Sequence, residues 1–237
     1  LIPLAYRLAP TTNYIHRLVV IFLTCAPTFV ILAISWEGLF YVAFSVTLFT
    51  WLRLEYSLQS FSLARHAQNG HAKPNGKAQP PLFRPLRLSD ARVGLFFLVL
   101  LQSAFFSTGN VASVSTFSLE SVTRLIPVFD PFSQGALLIV KILIPFALIS
   151  ANLGILNKRL GVAPSALFML AMALSDILTL YFFWVVKDEG SWLEIGSTIS
   201  HFAIASLMCS FVAALEGVSA MFIAGVTIHD TPAPKSS

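Results

Sequence analysis

The chain has 237 residues, 56% of them hydrophobic and 11% charged, with a formal net charge of +4 and a mean hydropathy of +0.79. Soluble domains carry roughly 25% charged residues, so a globule of this length lacks the polar groups to cover its apolar surface, and a soluble single domain is excluded. Lipid removes that demand when the backbone satisfies its own hydrogen bonds, so the composition predicts an all-α, polytopic transmembrane helix bundle.

The chain opens Leu1-Ile2-Pro3-Leu4, with no initiator Met and no basic segment leading to a cleavage site. That predicts a piece of something longer rather than a signal peptide. A helix needs about 20 apolar residues to cross the hydrocarbon core. Six candidate spans follow: Arg17–Ser35, Gly38–Leu52, Arg92–Thr108, Phe132–Leu156, Pro164–Val186 and Ile199–Gly225. The first two read as a hairpin through Trp36-Glu37. The second and third are short, so flanking residues or a thin bilayer must make up the length.

Charge placement orients the bundle. With a cytoplasmic N-terminus, Arg7, Arg17, Arg53, Arg65, Lys73, Lys77, Arg84, Arg87, Arg92, Lys158, Arg159 and Lys235 all fall on the cytoplasmic side. Only Arg124 and Lys187 fall opposite, and Lys141 lies inside a span. This is the positive-inside pattern, and it places both termini in the cytoplasm. The organisation reads as a cytoplasmic lead-in and hairpin over 1–52, a basic flexible linker over 53–91, a four-helix unit over 92–225 and a disordered tail over 226–237. Asn69-Gly70, Pro74-Asn75-Gly76 and Pro80-Pro81 are the breakers behind the linker assignment. The lumenal loops are 109–131 and 187–198.

Ionisable groups at membrane depth mark function or register. Lys141 is the tenth residue of its span counted from Phe132, and Asp176 lies ten residues from Val186, so both are about 15 Å deep at a rise of roughly 1.5 Å per residue. They are expected to face each other, either as a register-fixing pair or in a polar pocket for a lipid headgroup or sugar-phosphate. Glu216, nearer the cytoplasmic end, is expected to snorkel out. Pro27 and Pro145 fall within spans and are expected to kink them or act as packing features. Cys25 and Cys209, in apolar runs, read as small core hydrophobes. Trp192 is placed as an interfacial anchor. Asp188, Glu189 and Glu194 furnish the last lumenal loop and His201 begins the sixth span; the four are metal ligands in principle, and read as a solvated lumenal face. The histidines His16, His66, His71, His201 and His229 show no metal-ligand spacing. The basic residues follow sidedness rather than forming a stripe, so no nucleic-acid partner is expected.

Four strings carry a family resemblance: SWEGLFYVAFSVTLFTWLRLE (Ser35–Glu55), FFSTGNVASVSTF (Phe105–Phe117), QGALLIVKILIPFALI (Gln134–Ile149) and SDILTLYFFWVVKDEGSWLEIGSTISHF (Ser175–Phe202). They cover nearly all the spans but neither the linker nor the tail, and they resemble the C-terminal membrane part of the GPI ethanolamine phosphate transferases. Within that family the Gly109-Asn110 loop is similar to the member acting on the first mannose. The resemblance implies a multi-pass endoplasmic reticulum enzyme of GPI-anchor biosynthesis that moves phosphoethanolamine from phosphatidylethanolamine to the GPI precursor. It also implies a lumenal, zinc-using catalytic domain N-terminal to this region. The Gly109–Pro131 loop is too small to hold such a domain, so no catalytic residue, metal or cofactor is expected in this chain. Asn110, Lys141, Asp176, Asp188, Trp192 and His201 are the candidate lipid-substrate residues. A lipid-flipping module and a purely structural scaffold are the competing readings; no internal repeat of the kind seen in transporters is visible.

Overall fold

A computed structural model of the chain describes residues 13–34, 37–68, 83–107, 120–185 and 192–226. Among them every named element is a helix: α1 (Tyr14–Leu32), α2 (Glu37–Gln68), α3 (Asp90–Ser107), the short α4 (Glu120–Thr123), α5 (Pro131–Arg159), α6 (Ala166–Val185) and α7 (Trp192–Phe222). Three of these, α1, α5 and α6, are long and apolar enough to cross a membrane, and α7 carries a shorter apolar stretch over Ser206–Phe222.

Local chemistry sets the helix ends. Asn13 caps α1 by accepting the Ile15 N–H at 2.9 Å. Asp130 caps α5, accepting from the Phe132 N–H and the Ser133 hydroxyl, with Pro131 pre-set for the first helical position. The Ser133 hydroxyl bond is the main reason that the Asp130 carboxyl lies below the usual carboxylate range, and the bond from the Phe132 N–H adds to it. The cap is therefore charged at neutral pH. At the other end of α5, Lys158 and Arg159 occupy the last turn, where cations complement the helix dipole. Gly161 then takes a positive φ of 65°, a conformation that glycine reaches without steric cost.

Helix α2 departs from expectation. Its apolar run ends near Leu52, yet the helix continues to Gln68. Residues 53–68 of the expected linker are therefore helical, and this polar extension leaves α2 outside the set of described helices apolar enough to cross a membrane. Trp51 and Leu52 just before this extension and Glu55 within it are buried. The breaker-rich part of the linker, 69–82, lies outside the described residues.

The bundle is built around α5, which touches every other helix. Over half of its apolar window, 56%, is buried, against 17% for α6, so α5 is central and α6 peripheral. Ile144, Phe146, Leu148, Ile149, Ala151, Leu153, Ile155 and Leu156 are buried on all sides of α5, as expected of a helix hydrophobic all round. Pro145 lies in this buried stretch. It donates no N–H to the Lys141 carbonyl one turn back.

Long-range contacts show that the helices alternate in direction. The Arg159 guanidinium lies 4.2 Å from the Tyr14 ring centroid and 3.8 Å from that of Tyr56. Lys158 donates to the carbonyls of Ile223 (2.8 Å) and Val226 (3.3 Å) just past α7. Arg92 reaches Glu55 at 2.6 Å. Arg84 binds the α5–α6 turn through its backbone N–H to Gly161 O (2.7 Å) and its Nε to Leu160 O (3.0 Å). The start of α1, the later part of α2, the start of α3 and the ends of α5 and α7 thus meet at one basic end. This is the end that the Lys and Arg placement grouped together.

Candidate functional site

Polar side chains buried in an apolar bundle are the natural place to look for chemistry, because each needs a partner. The deepest is Lys141, 4% exposed. Its ammonium lies 2.7 Å from Glu37 Oε2. Glu37, at the start of α2, is itself 8% exposed, and the same oxygen accepts the Ile34 N–H at 2.7 Å. One carboxylate thus ties the α1–α2 connection to the middle of α5.

The expected Lys141–Asp176 pair does not form. Asp176 is exposed on α6, and its Oδ1 accepts from Cys209 Sγ on α7 at 3.2 Å. The two residues match in depth, but depth fixes only one coordinate. Helix α6 packs mainly on α3 and α7, and it meets α5 over a smaller contact. Lys141 instead finds the acid at the neighbouring helix start, which the apolar-run reading had assigned to a loop. Cys209 is correspondingly more than an apolar filler, while Cys25 is buried in the core as expected.

Of the other candidates, Asn110 and Asp188 lie outside the described residues. Trp192 and His201 lie in the first half of α7, and the placement of their side chains is likewise outside the description. Only Lys141 and Asp176 can be positioned, and they belong to separate polar contacts.

A second set of polar groups escaped the sequence reading and lines the contact between α5 and its neighbours. Ser150 Oγ donates to Leu215 O on α7 at 2.8 Å, and Asn152 Nδ2 donates to Leu48 O on α2 at 2.8 Å. Asn157 closes the α5–α6 turn, donating to Ala163 O at 2.8 Å and accepting the Leu167 N–H at 3.0 Å. Gly154 faces Ser219: a Cβ on Gly154 would collide with Ser219 Oγ and lie 3.3 Å from Ser219 Cβ. Small residues at such crossings let membrane helices approach closely. The signal was present as Ser150 and Gly154 spaced four apart in an apolar helix.

Beside this crossing is a cavity of about 570 Å³ at the basic end of the bundle, with Gly154, Asn157, Lys158, Ser165, Glu216 and Ser219 among its walls. Glu216 does not snorkel away; it accepts a hydrogen bond from the Ser165 hydroxyl. Ser165 has a φ of 66°, uncommon for a residue with a Cβ, and its hydroxyl is held by that carboxylate across to α7. Ser219 Oγ is buried without a protein hydrogen-bond partner.

Among the described residues, no three His, Cys, Asp or Glu side chains form a group that holds a metal ion. The residues described here do not fit zinc, and no chemical step is assigned to a metal on this chain.

Comparison with known families and curated proteins places the chain among known proteins. The family model described as PigN, Phosphatidylinositolglycan class N, matches residues 1–191. The GPI ethanolamine phosphate transferase 1 of Gibberella zeae is 71% identical over 98% of this chain, which covers 24% of that protein. Its namesakes from Emericella nidulans and Schizosaccharomyces pombe are 62% and 47% identical over 95% and 92% of this chain, covering 26% and 23% of theirs. The chain therefore spans about a quarter of the length of the curated relatives it matches. No solved structure matches it significantly. With a family model matching residues 1–191 of 237, the chain belongs to the PigN family.

Proposed function

We propose that this chain is the membrane region of an endoplasmic reticulum enzyme of GPI-anchor biosynthesis. That enzyme transfers phosphoethanolamine from phosphatidylethanolamine to the first mannose of the GPI precursor. The region holds the two lipids near the lumenal surface and anchors an N-terminal lumenal domain that carries the zinc and the chemistry. Its basic end faces the cytoplasm, with both termini there and six spans between them. The observation that carries the reading is the family match, together with the shared name of relatives about four times as long.

One role changes in this reading. Lys141 is committed to Glu37, so lipid recognition is assigned to the lumenal residues Asn110, Asp188, Trp192 and His201. The buried pair favours a second reading for the core of the bundle, that of a scaffold. A transplant separates the two. In the longer enzyme, this region is replaced by unrelated membrane helices, and phosphoethanolamine transfer is measured in membranes. The lipid-holding reading expects turnover to fall at least about tenfold with the catalytic domain still folded. Full retention would mean that anchoring alone suffices.

A further inference from the structure

The α6–α7 side of the bundle carries an aspartate where lipid would be expected. Asp176 lies midway along α6 and is exposed. Around it, Ile177 is 59%, Leu180 68% and Tyr181 67% exposed, which is ordinary for a lipid-facing helix. A carboxylate is not ordinary there: ionisable groups within spans almost always face a protein interior, a water-filled cavity or a partner charge. Cys209 is a weak donor and fills little of a carboxylate's capacity to accept hydrogen bonds. The intramembrane Lys141 is held by Glu37 on another side of α5. Arg84, Arg92, Lys158 and Arg159 are engaged at the basic end.

We propose that the α6–α7 face around Asp176 is a docking surface for a further membrane-spanning helix of the same polypeptide, one that presents a basic or amide side chain at mid-depth. Charge complementarity specifies the occupant, since a purely apolar helix or an acyl chain would leave the carboxylate unpaired in a low-dielectric surrounding. The relatives have the length to supply it, because this chain covers only 24% of the Gibberella zeae protein. The inference rests on the reading that the chain is part of a longer enzyme, and the two are tested separately.

The mass of the native polypeptide, read by immunoblot, tests that reading. The docking surface is tested by a photo-crosslinking amino acid at position 180 in the full-length protein in native membranes, with adducts mapped by mass spectrometry. Position 180 is one helical turn from Asp176 on the same face, and its side chain is largely exposed. The expected adduct is an apolar segment of the same polypeptide, and Asp176→Leu lowers its yield at least about tenfold, the scale of a lost charge-assisted hydrogen bond. Lipid adducts alone would overturn the proposal. So would adducts joining two copies, identified by mixing isotopically light and heavy protein. An unchanged yield in a folded Asp176→Leu protein would overturn the role of the carboxylate.

Discussion

Lys141→Ala is expected to destabilise the membrane region by about 3–5 kcal/mol, because truncating one partner strands the other as a buried, uncompensated charge. Glu37 would retain the Ile34 N–H but lose the ammonium 2.7 Å away. The double variant Glu37→Gln with Lys141→Met is expected to recover to within about 1 kcal/mol of the parent, since a buried pair replaced as a unit is often nearly neutral. Gln keeps an oxygen for the Ile34 N–H, and Met fills the lysine's path through the core. Heating the solubilised protein and following the monodisperse fraction by size exclusion gives the comparison. A double variant as unstable as Lys141→Ala would show that the charge itself is needed, as it would be for binding an anionic headgroup.

Asp90→Ala is the second large effect, with an expected loss of about 3 kcal/mol, a charge pair breaking together with its hydrogen bonds. The Asp90 carboxylate receives both terminal nitrogens of Arg84, each at 3.0 Å, and the Arg87 N–H at 2.8 Å. It is 4% exposed. Arg84 in turn holds the α5–α6 turn through Gly161 O and Leu160 O, so the aspartate fixes the start of α3 to the far end of α5. Asp90→Asn keeps an acceptor for the Arg87 N–H and removes the charge, so roughly half of the loss is expected from it. The same thermal assay ranks the two variants. Equal stabilities of Asp90→Asn and Asp90→Ala would mean that only the ion pair contributes.

Neither charge partner was legible as a partner in the sequence, and the reason is physical. Hydropathy and periodicity report where a helix crosses lipid, and they placed α1, α5 and α6 within a few residues of their ends. The Lys and Arg bias depends on which end of each span a residue follows, so it correctly grouped Arg92, Lys158 and Arg159 at one end. Partner choice depends instead on which helices touch. Lys141 and Asp176 shared a depth, but α6 turned out to lie against α3 and α7, leaving Lys141 to the acid at the start of α2.

The α2 extension was missed for a related reason. Arg53, Glu55 and Arg65 ended the apolar run without ending the helix, because no Gly or Pro falls between Arg53 and Asn69. The glycine crossing was recoverable. Ser150 and Gly154 sit on one face of a helix that is otherwise apolar, and small residues at that spacing signal close helix approach. The Ser165–Glu216 contact was not recoverable, since it joins residues 51 apart through a backbone conformation that no side-chain pattern predicts.

The central claim is that the lumenal end of these helices holds lipid substrate. The most direct measurement is steady-state transfer kinetics of the intact enzyme carrying Trp192→Ala or His201→Ala, with each lipid varied in turn. A KM raised about tenfold for at least one lipid, with kcat and thermal stability preserved, is the predicted result, the signature of lost substrate binding. An unchanged KM for both lipids in both variants would contradict the claim and leave these helices an anchor for chemistry performed elsewhere.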